Sequence, residues 1–335
     1  MQAKAPPSSS SASTIISKLL EYPSSLWVIG EGAVVLFLIS YLSNILFYAS
    51  LIGFVCLFAY RLFFLLQGKD SKFESPKAVF ITGASSGIGE YLAYYYARAG
   101  ATAIYITGRD RDRLAKVVAA CQSQPGASKS LVVKSIEVDV VDEEAMRREM
   151  LAADDATPID CVYANAGVSQ STLKDLKYED MCRKTVKVNV DGILNTVFPL
   201  RERMKQRKHG QFVIIASLAG IASLPGNHPY AATKALALSM GQGFRGELRK
   251  HGVGVTTVCP GFVRSRMTEE RHEKFGLPFF WETEPAVGVI ARGVAQNLDV
   301  IAFPFPMALG GFILRILPFY MHDMVAGYAS KLFYR

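Results

Sequence analysis

Cysteine is scarce and solitary in this chain. Five occur in 335 residues, Cys56, Cys121, Cys161, Cys182 and Cys259, and no two form a CxxC pair. An odd, dispersed set signals neither a disulfide framework nor a zinc site, so a reducing compartment is expected for the catalytic part. The five histidines, His209, His228, His251, His272 and His322, lack metal-ligand spacing, and no metal centre is expected. Basic blocks are missing as well. The net charge of +8 comes from 37 Lys and Arg interspersed with 29 Asp and Glu. That pattern excludes a nucleic-acid-binding arm and favours a phosphate-bearing cofactor and an anionic membrane surface. No Asn-x-Ser/Thr glycosylation acceptor occurs either, which agrees with a cytosolic placement.

The longest absence is of charge itself: residues 33–60 are 28 consecutive positions without Asp, Glu, Lys or Arg. At about 1.5 Å per residue this run exceeds the roughly 30 Å hydrocarbon core of a bilayer. It is too long for a signal-peptide core. Residues 1–25, Pro- and Ser-rich at their start, read as a disordered tail, and 26–67 as a transmembrane anchor. A tight hairpin centred near Ser43 and Asn44, crossing only partway, stays open beside a single span. Arg61, Lys69, Lys72 and Lys77 lie on the C-terminal side of the run, against Lys18 and Lys4 before it. For a single span, this bias places the C-terminal part of the chain in the cytosol. The endoplasmic reticulum is the expected membrane, since neither an Arg-rich presequence nor a retrieval motif is visible.

From residue 77 the pattern changes. Short β-branched or apolar runs at 78–82, 103–107, 131–138, 161–164, 212–216 and 253–259 alternate with longer helical stretches. This alternation predicts an α/β fold, a doubly wound parallel sheet of the Rossmann type, over residues 77–300. The first run enters Thr82-Gly83-Ala84-Ser85-Ser86-Gly87-Ile88-Gly89, and a helix is expected from near Glu90. Glycines at such a turn admit a pyrophosphate to the positive end of the helix. The Thr-Gly-xxx-Gly-x-Gly spacing resembles the short-chain dehydrogenase/reductase family and not the Gly-x-Gly-xx-Gly of other Rossmann enzymes. Arg109 stands twenty residues after Gly89, at the end of the second run. An acidic residue there would select NAD, whereas a guanidinium offers paired donors to a 2′-phosphate, so NADP(H) is the expected cofactor. The resemblance also implies cofactor contacts from Asp139 and Val140 to the adenine, and from Asn165-Ala166-Gly167, where Ala164 replaces the family's first Asn. It implies further contacts from Pro260, Gly261, Val263 and Ser265, the last standing where Thr is usual.

The chemistry rests on Tyr230-Ala-Ala-Thr-Lys234, with Ser217 thirteen residues earlier. Positions i and i+4 of a helix share a face, so phenol and ammonium point into one site. A phenol with an ordinary pKa of about 10 is a poor acid-base catalyst at neutral pH, and a fixed cation nearby favours its ionised form. Ser217 would hold the same carbonyl oxygen by hydrogen bonding. In the family Asn189 is the fourth catalytic member, positioning a water relay, and the lysine also bonds the nicotinamide ribose. Hydride transfer to a ketone with Tyr230 as proton donor, or its reverse as an alcohol dehydrogenase, is the expected reaction. An inactive NADP-binding scaffold is the alternative.

Residues 262–285 occupy the family's specificity segment and carry Leu277-Pro278-Phe279-Phe280-Trp281, suited to closing over a greasy substrate. Residues 301–335 are apolar and aromatic but interrupted by Gly310, Gly311, Arg315 and Pro318. An interfacial segment on the bilayer beside the active-site mouth is expected, not a second span. The substrate class this implies is a lipophilic small molecule: long-chain ketone, keto-sphingoid base, sterol or retinoid. Homodimer pairing through the helices after the fourth and fifth strands is what the resemblance allows.

Overall fold

The apolar runs after residue 77 are too short for helices and, apart from the edge strand at 132–137, are largely buried, which is the environment of a parallel sheet. In the computed structural model, which describes residues 34–55, 76–269 and 280–333, they form β1 (Ala78–Ile81), β2 (Ala103–Gly108), β3 (Val132–Glu137), β4 (Cys161–Ala164), β5 (Gln211–Ile215), β6 (Gly254–Pro260) and β7 (Val300–Phe303). All pair in parallel in the order β3-β2-β1-β4-β5-β6-β7. The chain runs outward from β1 to β3, then returns to place β4 against β1. The resulting switch point between β1 and β4 leaves a crevice at their carboxyl ends.

One apolar helix, α1 (Val34–Val55), forms a separate unit at the N-terminus. Its 22 residues span about 33 Å at the helical rise, enough to cross a bilayer, and its side chains are exposed throughout. The tail at 1–25 and the remainder of the expected anchor at 26–33 and 56–67 lie outside the described residues.

Two helices of the second unit start where a capping side chain takes up a free amide. Asp110 opens α3 (Arg111–Gln122) by accepting from the Arg113 amide at 3.0 Å, and Asp142 opens α4 (Glu143–Ala156) by accepting from Ala145 at 3.0 Å. The first of the sheet helices, α2 (Gly87–Arg98), begins three residues before the expected Glu90, so two of the turn's glycines belong to its first turn. On the other side of the sheet α4, which packs against α6 (Gly192–Arg207), is joined by α5 (Tyr178–Val186) and α7 (His228–Leu248); α8 (Thr283–Ala295) packs beside α2.

β7 is a strand the sequence pattern does not suggest. It has four residues and is followed by Pro304 and Pro306, so the run blends into the apolar stretch beyond. Pairing with β6, Cys259 opposite Ala302, is what makes it a strand. Beyond it the chain forms α9 (Phe305–Ile316) and α10 (Phe319–Phe333). They break at Leu317, held extended (ψ 145°) by the following proline.

A short turn of 3-10 helix, Leu218–Gly220, follows β5 and lies directly on α7. A Cβ on Gly220 would sit 2.7 Å from the Ala235 backbone nitrogen. Neither backbone can yield without separating the two elements. Gly220→Ala is therefore expected to cost about 1–3 kcal/mol by overpacking, read as a lowered urea midpoint; an unchanged midpoint would show that the turn does not bear on α7.

Candidate active site

The glycine turn after β1 and the loop after β4 are locked together at the switch point. Thr82 donates its hydroxyl to the Tyr163 carbonyl at 3.1 Å and accepts from the amides of Asn165 and Ala166 at 3.1 and 3.2 Å. Asn165 returns two bonds from its side-chain amide, to the carbonyls of Thr82 (2.8 Å) and Gly83 (3.2 Å). This close approach explains the glycines: Gly83 has φ +65°, and a Cβ there would lie 2.7 Å from the Ala166 Cα. Gly87, at φ +61°, leaves room for Ser265.

The turn faces a cleft of about 550 Å³. Gly83, Ser85, Ser86, Gly87 and Ile88 line it from the turn, Asp139 and Val140 from the loop after β3, and Asn165, Ala166 and Gly167 from the loop after β4. Pro260, Gly261, Val263 and Ser265 close the far wall after β6. Gly89 does not line it. A Cβ on it would lie 2.6 Å from the Asn165 side-chain nitrogen, so its smallness serves packing of turn against loop. Arg109 stands at the cleft's edge, half exposed, 3.8 Å from the Asp139 carboxylate. Arg113 lines the cleft beside it, although its place in a charged run suggests a solvated side chain. Its amide and guanidinium hold the Asp110 carboxyl below the usual carboxylate range. A narrow cradle of backbone too close for side chains, with two guanidinium groups at one end, fits a dinucleotide.

Tyr230 and Lys234 line the same cleft from the first turns of α7, one helical turn apart, with the Lys234 nitrogen 5.7 Å from the centre of the Tyr230 ring. Lys234 is 5% exposed and donates to the Ile215 carbonyl at 2.7 Å. Burial lowers its pKa to about 8. Ser217, 8% exposed, accepts from the Ala219 amide at 3.1 Å and donates to the Pro260 carbonyl at 3.4 Å. Asn189 lies in a wide π turn, Lys187–Asp191, between α5 and α6. It does not line the cleft; its side chain accepts from the Val168 amide (2.8 Å) and donates to the Val168 carbonyl and to Thr233 (both 3.0 Å). Asn189 thus braces the loop after β4 against α7, while Gly167 lies between it and Lys234.

A second cavity, about 290 Å³, opens from the cleft. The two share Ser217 and Tyr230, along with Ser171, Gly261, Met267 and Thr268. Apart from Ser169 and Asn227, its remaining wall is apolar: Leu218, Ala222 and Leu224 on one side, Phe262 on another, and Met307, Gly310, Gly311 and Leu314 of α9. The α9 contribution carries no motif in the sequence; the spacing of those four positions, which marks one helix face, is its only signal. Thr268 belongs to no motif either. It donates to the Val263 carbonyl at 2.6 Å and accepts from the Ser265 amide at 3.0 Å, fixing the turn that carries Ser265.

The specificity segment is tied at its base. Arg264 pairs with Glu269 (3.2 Å) and Glu282 (3.3 Å), Phe262 stacks on Phe280 with ring centres 5.0 Å apart, and Trp281 packs on Phe303. Leu277, Pro278 and Phe279 lie outside the described residues.

The sequence profile described as short chain dehydrogenase matches residues 77–275. An uncharacterised oxidoreductase of Myxococcus xanthus is 34% identical over 254 residues, covering 75% of this chain and 97% of that protein. Among solved structures, a short-chain dehydrogenase from Sphingobium yanoikuyae in complex with NADPH superposes with a TM-score of 0.60 at 25% identity, covering 76% of this chain and 94% of that one. One from Mycobacterium paratuberculosis bound to NAD gives 0.58 at 24% identity, covering 69% and 97%.

Proposed function

Because the chain belongs to the short-chain dehydrogenase family, we propose that it is an NADPH-dependent reductase of a lipophilic ketone, working at a membrane surface. The observation that carries this reading is the meeting of a dinucleotide-shaped cleft and an apolar cavity at two side chains, Ser217 and Tyr230. A carbonyl entering from the cavity comes to rest between them. The glycine turn, the loop after β4 and the Pro260-Gly261 wall would hold a reduced nicotinamide, which would supply the hydride when bound. Tyr230 gives its phenolic proton to the oxygen as charge develops there, and Ser217 steadies that oxygen by a hydrogen bond. Lys234, protonated below about pH 8, holds a positive charge beside the phenol. Alcohol oxidation is the same path in reverse.

Arg109 and Arg113 at one end of the cleft favour a 2′-phosphate, since two planar guanidinium forks suit phosphate oxygens. The substrate class follows from the apolar cavity wall and from the surface beyond it. On α9 and α10, Ile316 (80% exposed), Met324 (73%) and Tyr328 (71%) present an apolar face to the surroundings, and a bilayer is the occupant best matched to it. The α1 helix and the Lys and Arg residues after it agree with an anchor that leaves the catalytic domain on the cytosolic side.

With a methyl ketone of long chain as substrate, Tyr230→Phe is expected to lower kcat by about a hundredfold to ten-thousandfold while NADPH still binds; a variant as fast as wild type would defeat the assignment. Arg109→Ala is expected to weaken NADPH use by about tenfold, the worth of one charge-assisted hydrogen bond, and to leave NADH use unchanged. Equal losses with both cofactors would contradict a 2′-phosphate contact.

A further inference from the structure

Resting on the lipophilic-ketone reading, we infer that Gly310 is the exit of the substrate cavity, through which the hydrocarbon chain of an extended, unbranched ketone passes out of the active site over the surface of α9. Three observations meet there. The cavity beside Tyr230 is about 290 Å³, at the bottom of the roughly 300–1,000 Å³ range of small-molecule pockets. It takes a carbonyl and a short length of chain, and the rest of a long lipid must leave it.

Among the described residues that line the cavity, Gly310 alone is exposed; the others are buried or half-buried. A Cβ added to Gly310 meets no atom within 4 Å, so the position faces open space and the glycine is not required by packing. A Cβ added to Gly311, by contrast, would meet Ile221 at 3.6 Å, and Arg315 donates to the Ile221 carbonyl at 3.4 Å, which seats α9 on the turn after β5.

The direction of the exit follows from helix geometry. At about 100° per residue, Met307, Gly311 and Leu314 form the face of α9 turned to the cavity, and Phe312, Ile313 and Ile316 the exposed face. Gly310 falls on the seam between them, and its neighbours one turn away on the exposed side are Pro306 and Ile313. A chain leaving at Gly310 therefore keeps apolar contact, moving from Leu314 and Met307 to Ile313, which is 48% exposed. A glycine at mid-helix lowers helix stability relative to alanine. An open passage accounts for tolerating that here.

The test compares the full chain and its Gly310→Phe and Gly310→Ala variants, reducing butanone and a methyl ketone of about a dozen carbons in detergent micelles. Binding is followed in parallel by the fluorescence gain of the bound reduced nicotinamide. The ratio of kcat/KM for the long ketone to that for the short one should fall at least about tenfold in Gly310→Phe, and by less in Gly310→Ala. Should the phenylalanine variant fail to bind cofactor, the alanine variant decides by the same ratio. A ratio unchanged from wild type in variants that bind cofactor normally overturns the exit while leaving the ketone reading intact. Wild type that reduces neither ketone overturns the reading itself, and the exit with it.

Discussion

A buried ammonium, Lys234, is the constraint on which the site depends. Removing such a charge from water costs several kcal/mol unless a partner is held in place, and the partner here is the Ile215 carbonyl at 2.7 Å. That carbonyl is at the carboxyl end of β5, the strand whose next residues carry Ser217. One hydrogen bond therefore fixes the helix bearing Tyr230 against the strand bearing Ser217. Gly220 is small for the same reason: any side chain on it would force α7 away from the turn after β5. Cys259, the other titratable group beside the ammonium, is pushed up to about 12 by burial and stays a neutral thiol. Cys259 therefore does not cancel the charge of Lys234.

Around that pair the fold arranges two unlike spaces. The cleft at the β1/β4 switch point is made of backbone, because Gly83 and Gly87 let the chain approach where side chains cannot. The cavity is lined largely by apolar side chains, because α9, which follows β7 directly, closes it. α9 serves two surroundings at once. Its inner face, with Met307 and Leu314, meets the substrate space, and its outer face, with Phe312 and Ile316, is left uncovered.

The local features are legible in the sequence. Tyr230 and Lys234 share a face by helix geometry alone, and the glycine turn needs only the strand before it and the helix after it. Six of the seven strands can be read from short β-branched runs bounded by turns. Features made by distant contacts cannot. β7 is a strand only because β6 lies beside it. Arg113 faces the cleft only because Asp110 starts the helix where it does. Asn189 is a site residue by resemblance, and its bonds to Val168 and Thr233 show a brace, which a sequence pattern cannot distinguish from direct contact.

The central claim, that a protonated Lys234 sustains proton transfer from Tyr230, is tested most directly by the pH profile of kcat/KM for ketone reduction. Burial lowers the pKa of this lysine to about 8, so the cation is present below that pH and is lost as pH rises through it. Reduction should be level at lower pH and decline through about pH 8. A profile that stays level well beyond that value would contradict the account.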